Sequence, residues 1–164
     1  MGVRDLGDRV ADLDALQLAI VPFRPEHTEG FRSLVADTLA EFGFRADPDV
    51  DPDLADPNAY YAALWIAFSG GDVVGSIALR DLGDRAIELK RMYLRPFCRG
   101  RGVGRRLLAT ALDWSRANGI RKIKLDTMER MAVARHLYEQ HGFVRVPGDA
   151  PRQGQARLLY ELRL

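Results

Sequence analysis

Cysteine is nearly absent: Cys98 stands alone among 164 residues, which excludes an internal disulfide and any metal site built from several thiolates. Long apolar runs are also missing. No stretch approaches the roughly 20 apolar residues that span a bilayer. The run from Leu16 to Phe23 is short, carries Gln17 and Pro22 and follows an acidic segment, unlike a secretory signal. A cytoplasmic location is the expectation. Net charge is only +1, so no global field draws the chain to nucleic acid. Internal repeats and low-complexity tracts are absent too.

What is present has the balance of an ordinary globular chain, with 47% apolar and 29% charged residues. Its length suits one domain with one core. Residues 1–17 lack a clear period and read as a flexible arm, with the domain over 18–164. The charges are unevenly spread. Five aspartates lie between Asp47 and Asp56, and Lys90, Arg91, Arg95, Arg99, Arg101, Arg105 and Arg106 crowd the middle. The basic cluster points to an anion site, against the plainer reading of a solvated charged face.

Periodicity predicts a strand over Leu18–Phe23, a helix over Glu26–Phe42 and a loop over Asp47–Asn58. Strands follow over Leu64–Phe68, Val73–Leu79 and Ala86–Leu94, the last with a bulge near Lys90 and Arg91, where apolar alternation slips. A helix over Gly104–Asn118 presents Leu107, Leu108, Ala111 and Leu112 on one face. Ile123–Thr127 is a strand, Met131–His141 a helix, and Phe143–Val146 and Ala156–Leu162 two late strands. Together they describe an α/β (α+β layered) domain: one mixed, mostly antiparallel sheet of about six or seven strands flanked by about four helices. Late strands that pair between subunits would make a homodimer.

Between the third strand and the next helix lies Arg99-Gly100-Arg101-Gly102-Val103-Gly104-Arg105. Glycines allow φ > 0 and a close approach to successive backbone N–H groups, and the helix directs its positive end to the same point. Such a turn suits a diphosphate. The dinucleotide fingerprint G-x-G-x-x-G fails, because Arg105 stands where a third glycine is needed. A nicotinamide enzyme is thus a weak alternative, with Asp126 as its candidate ribose ligand.

Arg99-x-x-Gly102-x-Gly104, preceded by Glu88-Leu89-Lys90-Arg91-Met92-Tyr93-Leu94, resembles the coenzyme A motif of the GCN5-related N-acetyltransferases (GNAT). Lys124-Leu125-Asp126-Thr127 with Ala134-x-x-Leu137-Tyr138-Glu139-x-x-Gly142-Phe143 is similar to the family's later motif. The resemblance covers roughly residues 64–146. It implies an acyl-CoA N-acyltransferase fold and transfer of the acetyl group of acetyl-CoA to an amine by direct attack, with no metal. By the same resemblance, Met92, Tyr93 and Leu94 bind the pantetheine arm and Arg99, Gly100, Arg101, Gly102, Val103, Gly104 and Arg105 cradle the pyrophosphate. Tyr138 sits beside the thioester sulfur. Many members have asparagine where Met131 stands here, so one cofactor contact is expected to be missing.

For the chemistry itself, Tyr138 is the candidate acid for the departing thiolate, and backbone N–H groups of Met92–Leu94 the candidate oxyanion donors. Glu88, a carboxylate in an otherwise apolar strand, is the candidate base, acting through water. Glu41 is a second. His27 and His136 read as boundary residues and His141 as a helix-end cation. Phe42, Phe44, Tyr60, Tyr61 and Trp65 offer walls for an acceptor and the five aspartates an attraction for a cationic amine, against the plainer reading, favoured for any single residue, of an acidic solvated loop with core aromatics. A small primary amine is the expected acceptor. The alternatives are a protein N-terminus or lysine, and a non-catalytic CoA or nucleotide sensor.

Overall fold

The computed structural model describes residues 17–148, 152 and 154–164, so the expected arm lies outside the described residues except for Gln17. Seven strands form one sheet: β1 (Ala19–Pro22), β2 (Ala63–Ser69), β3 (Asp72–Gly83), β4 (Ala86–Leu94), β5 (Lys122–Thr127), β6 (Val144–Val146) and β7 (Leu158–Arg163). Their spatial order is β1-β2-β3-β4-β5-β7-β6. Every neighbouring pair is antiparallel except β4 with β5. Among the described residues the α-helices are α1 (Thr28–Glu41), the one-turn α2 (Pro57–Tyr60), α3 (Val103–Ala117) and α4 (Ala132–Gln140).

Each sheet face buries one apolar stripe. On one side Phe31, Val35 and Leu39 of α1 pack over Leu64 and Ile66 of β2 and Ala78 of β3. On the other, Leu107, Leu108 and Ala111 of α3 and Tyr138 of α4 meet Ile77 and Leu79 of β3, Ile87 and Leu89 of β4 and Ile123 of β5. The period of two in the strands and the i, i+3/i+4 spacing in the helices supply these faces. Gly70 and Gly71, with φ of 58° and 85°, give the β2–β3 hairpin its two left-handed turn residues. The strand β3 runs past its expected end at Leu79, because Arg80 and Asp81 still pair with Glu88 and Ile87.

The parallel contact of β4 with β5 places the site. It runs only from Ala86↔Lys122 to Glu88↔Lys124, whereas β5 pairs with β7 along its whole length. Beyond Glu88 the two central strands part, leaving the second half of β4 with a backbone edge unpaired toward β5.

Candidate active site

The parting begins at a bulge in β4. Ala78 pairs with Lys90 and Ser76 with Tyr93, so two steps along β3 match three along β4, and one residue is extra. Arg91 carries φ = 51°, a left-handed conformation unusual for a residue with a Cβ. Its side chain explains why the conformation persists. The guanidinium, 4% exposed, donates from Nη2 to Asp51 at 2.7 Å and to Asp53 at 2.8 Å, and from Nε to Asp53 at 2.9 Å. Tyr61 Oη donates to Asp53 at 2.6 Å, and Ser76 Oγ donates to the Arg91 carbonyl at 2.6 Å. Arg152 reaches the other side of Asp51 at 2.7 and 2.8 Å.

This network corrects the reading of the aspartate-rich loop as an amine-attracting patch. Asp51 and Asp53 are buried and neutralised by arginine. Burial alone would raise both carboxyls; hydrogen bonds from Arg152 and Arg91 to Asp51, and from Arg91 to Asp53, outweigh it and hold both below the usual carboxylate range. Asp51 and Asp53 clamp the loop to the bulge, while Asp49 and Asp56 stay exposed.

Following β4, Pro96–Cys98 form one 3-10 turn, and Gly100 and Gly102 adopt φ of 71° and 82°. Gly102 is the N-cap of α3 and supplies no side-chain acceptor. The first bond of the helix runs from Arg106 N–H to Gly102 C=O, so the N–H groups of Val103, Gly104 and Arg105 have no partner within it. A Cβ built on Gly100 or Gly102 would meet nothing within 4 Å, while one on Gly104 would lie 3.3 Å from Met92 Cε. The first two glycines thus leave open space in front of the turn, and the third seats α3 against β4.

A cleft of about 760 Å³ runs from this turn along β4. Gly100, Gly102 and Gly104 line one end, Met92–Leu94 one wall, and Ala134 and Leu137 of α4 the other. The arginines of the turn are all engaged. Arg99 pairs bidentately with Glu41 and bonds the Leu94 carbonyl, and Arg105 donates to Gln140 at 3.1 Å. Backbone amides and the helix end therefore make the larger offer to an anion here. Pairing with Glu41 raises the Arg99 guanidinium and lowers the Glu41 carboxyl, so Glu41 is an ion-pair partner at the rim.

A smaller cavity of about 280 Å³ opens between β4, β5 and α4, lined among others by Arg91, Asp126, Thr127, Tyr138, Arg152 and Arg157. Met92, Tyr93, Met131 and Ala134 line both cavities and mark where they meet. Tyr138 is 5% exposed, and its hydroxyl has no hydrogen-bond partner among the described residues. Burial pushes its phenol well up, and neighbouring Tyr93 and Asp126 add to the shift. Asp126 is paired with Arg157, whose Nε lies 2.5 Å from Oδ2.

Glu88 is not brought to this site. It precedes the bulge, lines neither cavity and sits between Arg80 at 3.8 Å and Lys90 at 3.6 Å. Its apolar neighbours Ile87 and Leu89 face the α3 side, and the alternation of the strand turns Glu88 to the opposite face, where cations satisfy it. Of the aromatic walls, Phe42 lines the larger cleft and the others line neither of these two cavities. Phe44 and Tyr61 are core, Tyr60 stacks edge-on against Tyr61, and Trp65 packs on Trp114 at 6.2 Å. Met131 lines both cavities and accepts from Thr127 Oγ1 at 3.4 Å through sulfur. His136 lines the larger cleft, His27 stacks on Phe68, and His141 Nδ1 lies 2.8 Å from the Leu137 carbonyl at the end of α4. Arg152 and Arg157 belong to no motif, and only tertiary folding brings them here.

Residues 26–143 match the acetyltransferase (GNAT) family. The chain belongs to that family. Among relatives of this GNAT chain, an uncharacterized N-acetyltransferase of Schizosaccharomyces pombe is 31% identical over 126 residues, 73% of this chain and 77% of that protein. N-acetylaspartate synthetase of Danio rerio is 31% identical over 125 residues, 68% of this chain but only 44% of that protein. In fold, a GNAT acetyltransferase from Staphylococcus aureus superposes with a TM-score of 0.80 at 22% identity, covering 89% of this chain and 98% of that one. A Salmonella typhimurium protein solved with its cofactor acetyl-CoA has a TM-score of 0.72 at 18% identity, over 89% of this chain and 93% of that one. Family and fold together make this chain an acyl-CoA-dependent N-acyltransferase. Among the described residues no group of side chains could hold a metal ion, and no helix is long and apolar enough to cross a membrane.

Proposed function

We propose that the chain transfers the acetyl group of acetyl-CoA to the nitrogen of a small primary amine by direct attack. The observation that carries this reading is the wall that the two cavities share: a cleft starting at a glycine turn on a helix N-terminus and a second, smaller chamber are both lined by Met92, Tyr93, Met131 and Ala134. The turn fits a diphosphate, since Gly100 and Gly102 leave open the volume that side chains would take and α3 points its uncapped N–H groups there. The β4 edge beyond the bulge, unpaired toward β5, fits an amide-bearing arm laid down like a further strand. The cofactor supplies an activated thioester.

The chain's own residues supply the rest. Backbone N–H groups near Met92–Leu94 stabilise charge that develops on the carbonyl oxygen. Tyr138, kept protonated by burial, gives its proton to the departing sulfur. Glu88, paired with cations outside the cleft, serves the strand and not the amine. A small acceptor is favoured over a folded protein because the second chamber is small and bounded by Arg152 and Arg157.

Calorimetric titration with acetyl-CoA, with NADH as control, tests the donor. Binding of acetyl-CoA alone, followed by release of CoA thiol on adding small amines, is the expected result. Absence of acetyl-CoA binding, or binding of NADH in its place, overturns the reading.

A further inference from the structure

The smaller chamber is unusual for a site that must take an amine, because Lys90, Arg91, Arg152 and Arg157 line it against a single carboxylate, Asp126. A bare ammonium would find one carboxylate on that wall, Asp126, and that one already paired with Arg157. Part of this charge is spent internally: Arg91 is held by Asp51 and Asp53, and Arg152 places both Nη atoms on Asp51. Lys90 lies 3.6 Å from Glu88.

One donor is left over. Arg152 Nε is buried and has no hydrogen-bond partner among the described residues; Arg157 Nε makes no aligned hydrogen bond but lies 2.5 Å from Asp126 Oδ2, so its charge is paired. The Arg152 side chain is 10% exposed and that of Arg157 15%. An orphaned buried guanidinium donor is rare and costly, and Arg152 Nε beside the chamber, with the misaligned contact of Arg157 and Asp126, asks for an acceptor that arrives with a ligand.

Resting on the acetyltransferase reading, we infer that the chamber is the acceptor subsite for an amine that also bears a carboxylate, of the amino-acid type. The ligand's carboxylate lies against Arg152 and Arg157. Its ammonium is drawn to Asp126, beside Tyr138 and the junction with the cleft. A chamber of about 280 Å³ has the scale of such a molecule. Loss of one ammonium proton to solvent before attack leaves the neutral nitrogen to bond the acetyl carbon as the C–S bond breaks; the thiolate takes a proton from Tyr138, and the second proton that the nitrogen sheds as the amide forms restores the phenol.

The test compares alanine, serine and methionine with the amines that each would give on loss of its carboxylate. With acetyl-CoA saturating, at least one amino acid is expected to exceed its decarboxylated partner in kcat/KM by about tenfold or more, the scale of one charge-assisted hydrogen bond. Replacing Arg157→Gln should erase most of that preference through KM, and Arg157→Lys should restore part of it. Thermal shift with the same panel, on ligand-free and CoA-loaded protein, reads the subsite without turnover. Acetylation of the simple amines alone, or a preference unaffected by Arg157→Gln, overturns the inference while leaving the acetyltransferase standing. Failure to bind acetyl-CoA overturns the acetyltransferase reading; a carboxylate-dependent thermal shift lost in Arg157→Gln would still support the subsite, and no shift in either state would overturn it.

Discussion

At the scale of single residues, Tyr138 and Arg91 show how burial can serve opposite ends. Tyr138 is buried without a hydrogen-bond partner among the described residues, so its proton is retained until charge builds on a neighbouring atom. Replacing Tyr138→Phe should lower kcat about a hundredfold and leave acetyl-CoA affinity unchanged, as steady-state kinetics and calorimetry would measure. Full turnover in that variant would remove Tyr138 from the proton path. Arg91 is buried with Asp51 and Asp53 on its Nε and Nη2, and its loss leaves buried Asp53 with no hydrogen-bonded cation and only the Tyr61 hydroxyl, while Asp51 keeps Arg152. Arg91→Met should cost about 3–5 kcal/mol in chemical denaturation, the usual result of breaking a buried ion pair from one side. The pH dependence has a definite sign. Asp51 and Asp53 ionise more easily folded than unfolded, so their stabilisation is complete above the unfolded value of about 3.9 and fades as pH falls through the folded values. Wild-type melting temperature should therefore drop as the medium is acidified below about pH 4. In Arg91→Met it should start lower and fall less steeply; parallel curves would show that Arg91 is not what depresses these carboxyls.

At the scale of elements, the bulge and the glycine turn do most of the positioning, and they differ in how legible they were. The bulge near Lys90 and Arg91 could be read from broken alternation, because an extra residue shifts the apolar face by one. Its anchor could not: Asp51 and Asp53 lie about forty residues away in the chain, and in a loop rich in proline and aspartate a buried carboxylate looks the same as a solvated one. Glu88 misled for a related reason. A charge between Ile87 and Leu89 suggests burial with a purpose, yet strand geometry sends it to the other face, toward Arg80 and Lys90. The glycine turn was readable in position and conformation, while the pairing of Arg99 with Glu41 on α1 is a tertiary fact. The turn makes its own prediction. Gly102→Val would force a β-branched residue to φ = 82° and fill the open space before α3. The strain costs about 1–3 kcal/mol, and acetyl-CoA affinity should be lost in calorimetry while circular dichroism stays native; retained affinity would move the diphosphate elsewhere.

At the scale of the whole molecule, the sheet works as a wedge: closed from Ala86 to Glu88 against β5, opened by one extra residue, and lined on its two sides by a long cleft and a small chamber that share Met92, Tyr93, Met131 and Ala134. Donor and acceptor can then meet at the junction while both are bound, which makes a covalent acetyl-enzyme unnecessary. The residues at the junction agree, since none of the four offers a thiol or aliphatic hydroxyl nucleophile. The only cysteine, Cys98, is fully buried in the turn before the glycines and lines neither cavity, and burial pushes its thiol above the ordinary range, the opposite of what an attacking thiolate requires. Cys98→Ser should therefore retain kcat, apart from any loss of folded protein from placing a hydroxyl in the core. Initial-velocity plots should intersect, as a ternary complex demands, and intact mass after incubation with acetyl-CoA alone should show no added acetyl group. Parallel plots together with an acetylated enzyme would instead require a nucleophile reached only after movement of the wedge, and would reassign the chamber from acceptor site to the site of a second half-reaction.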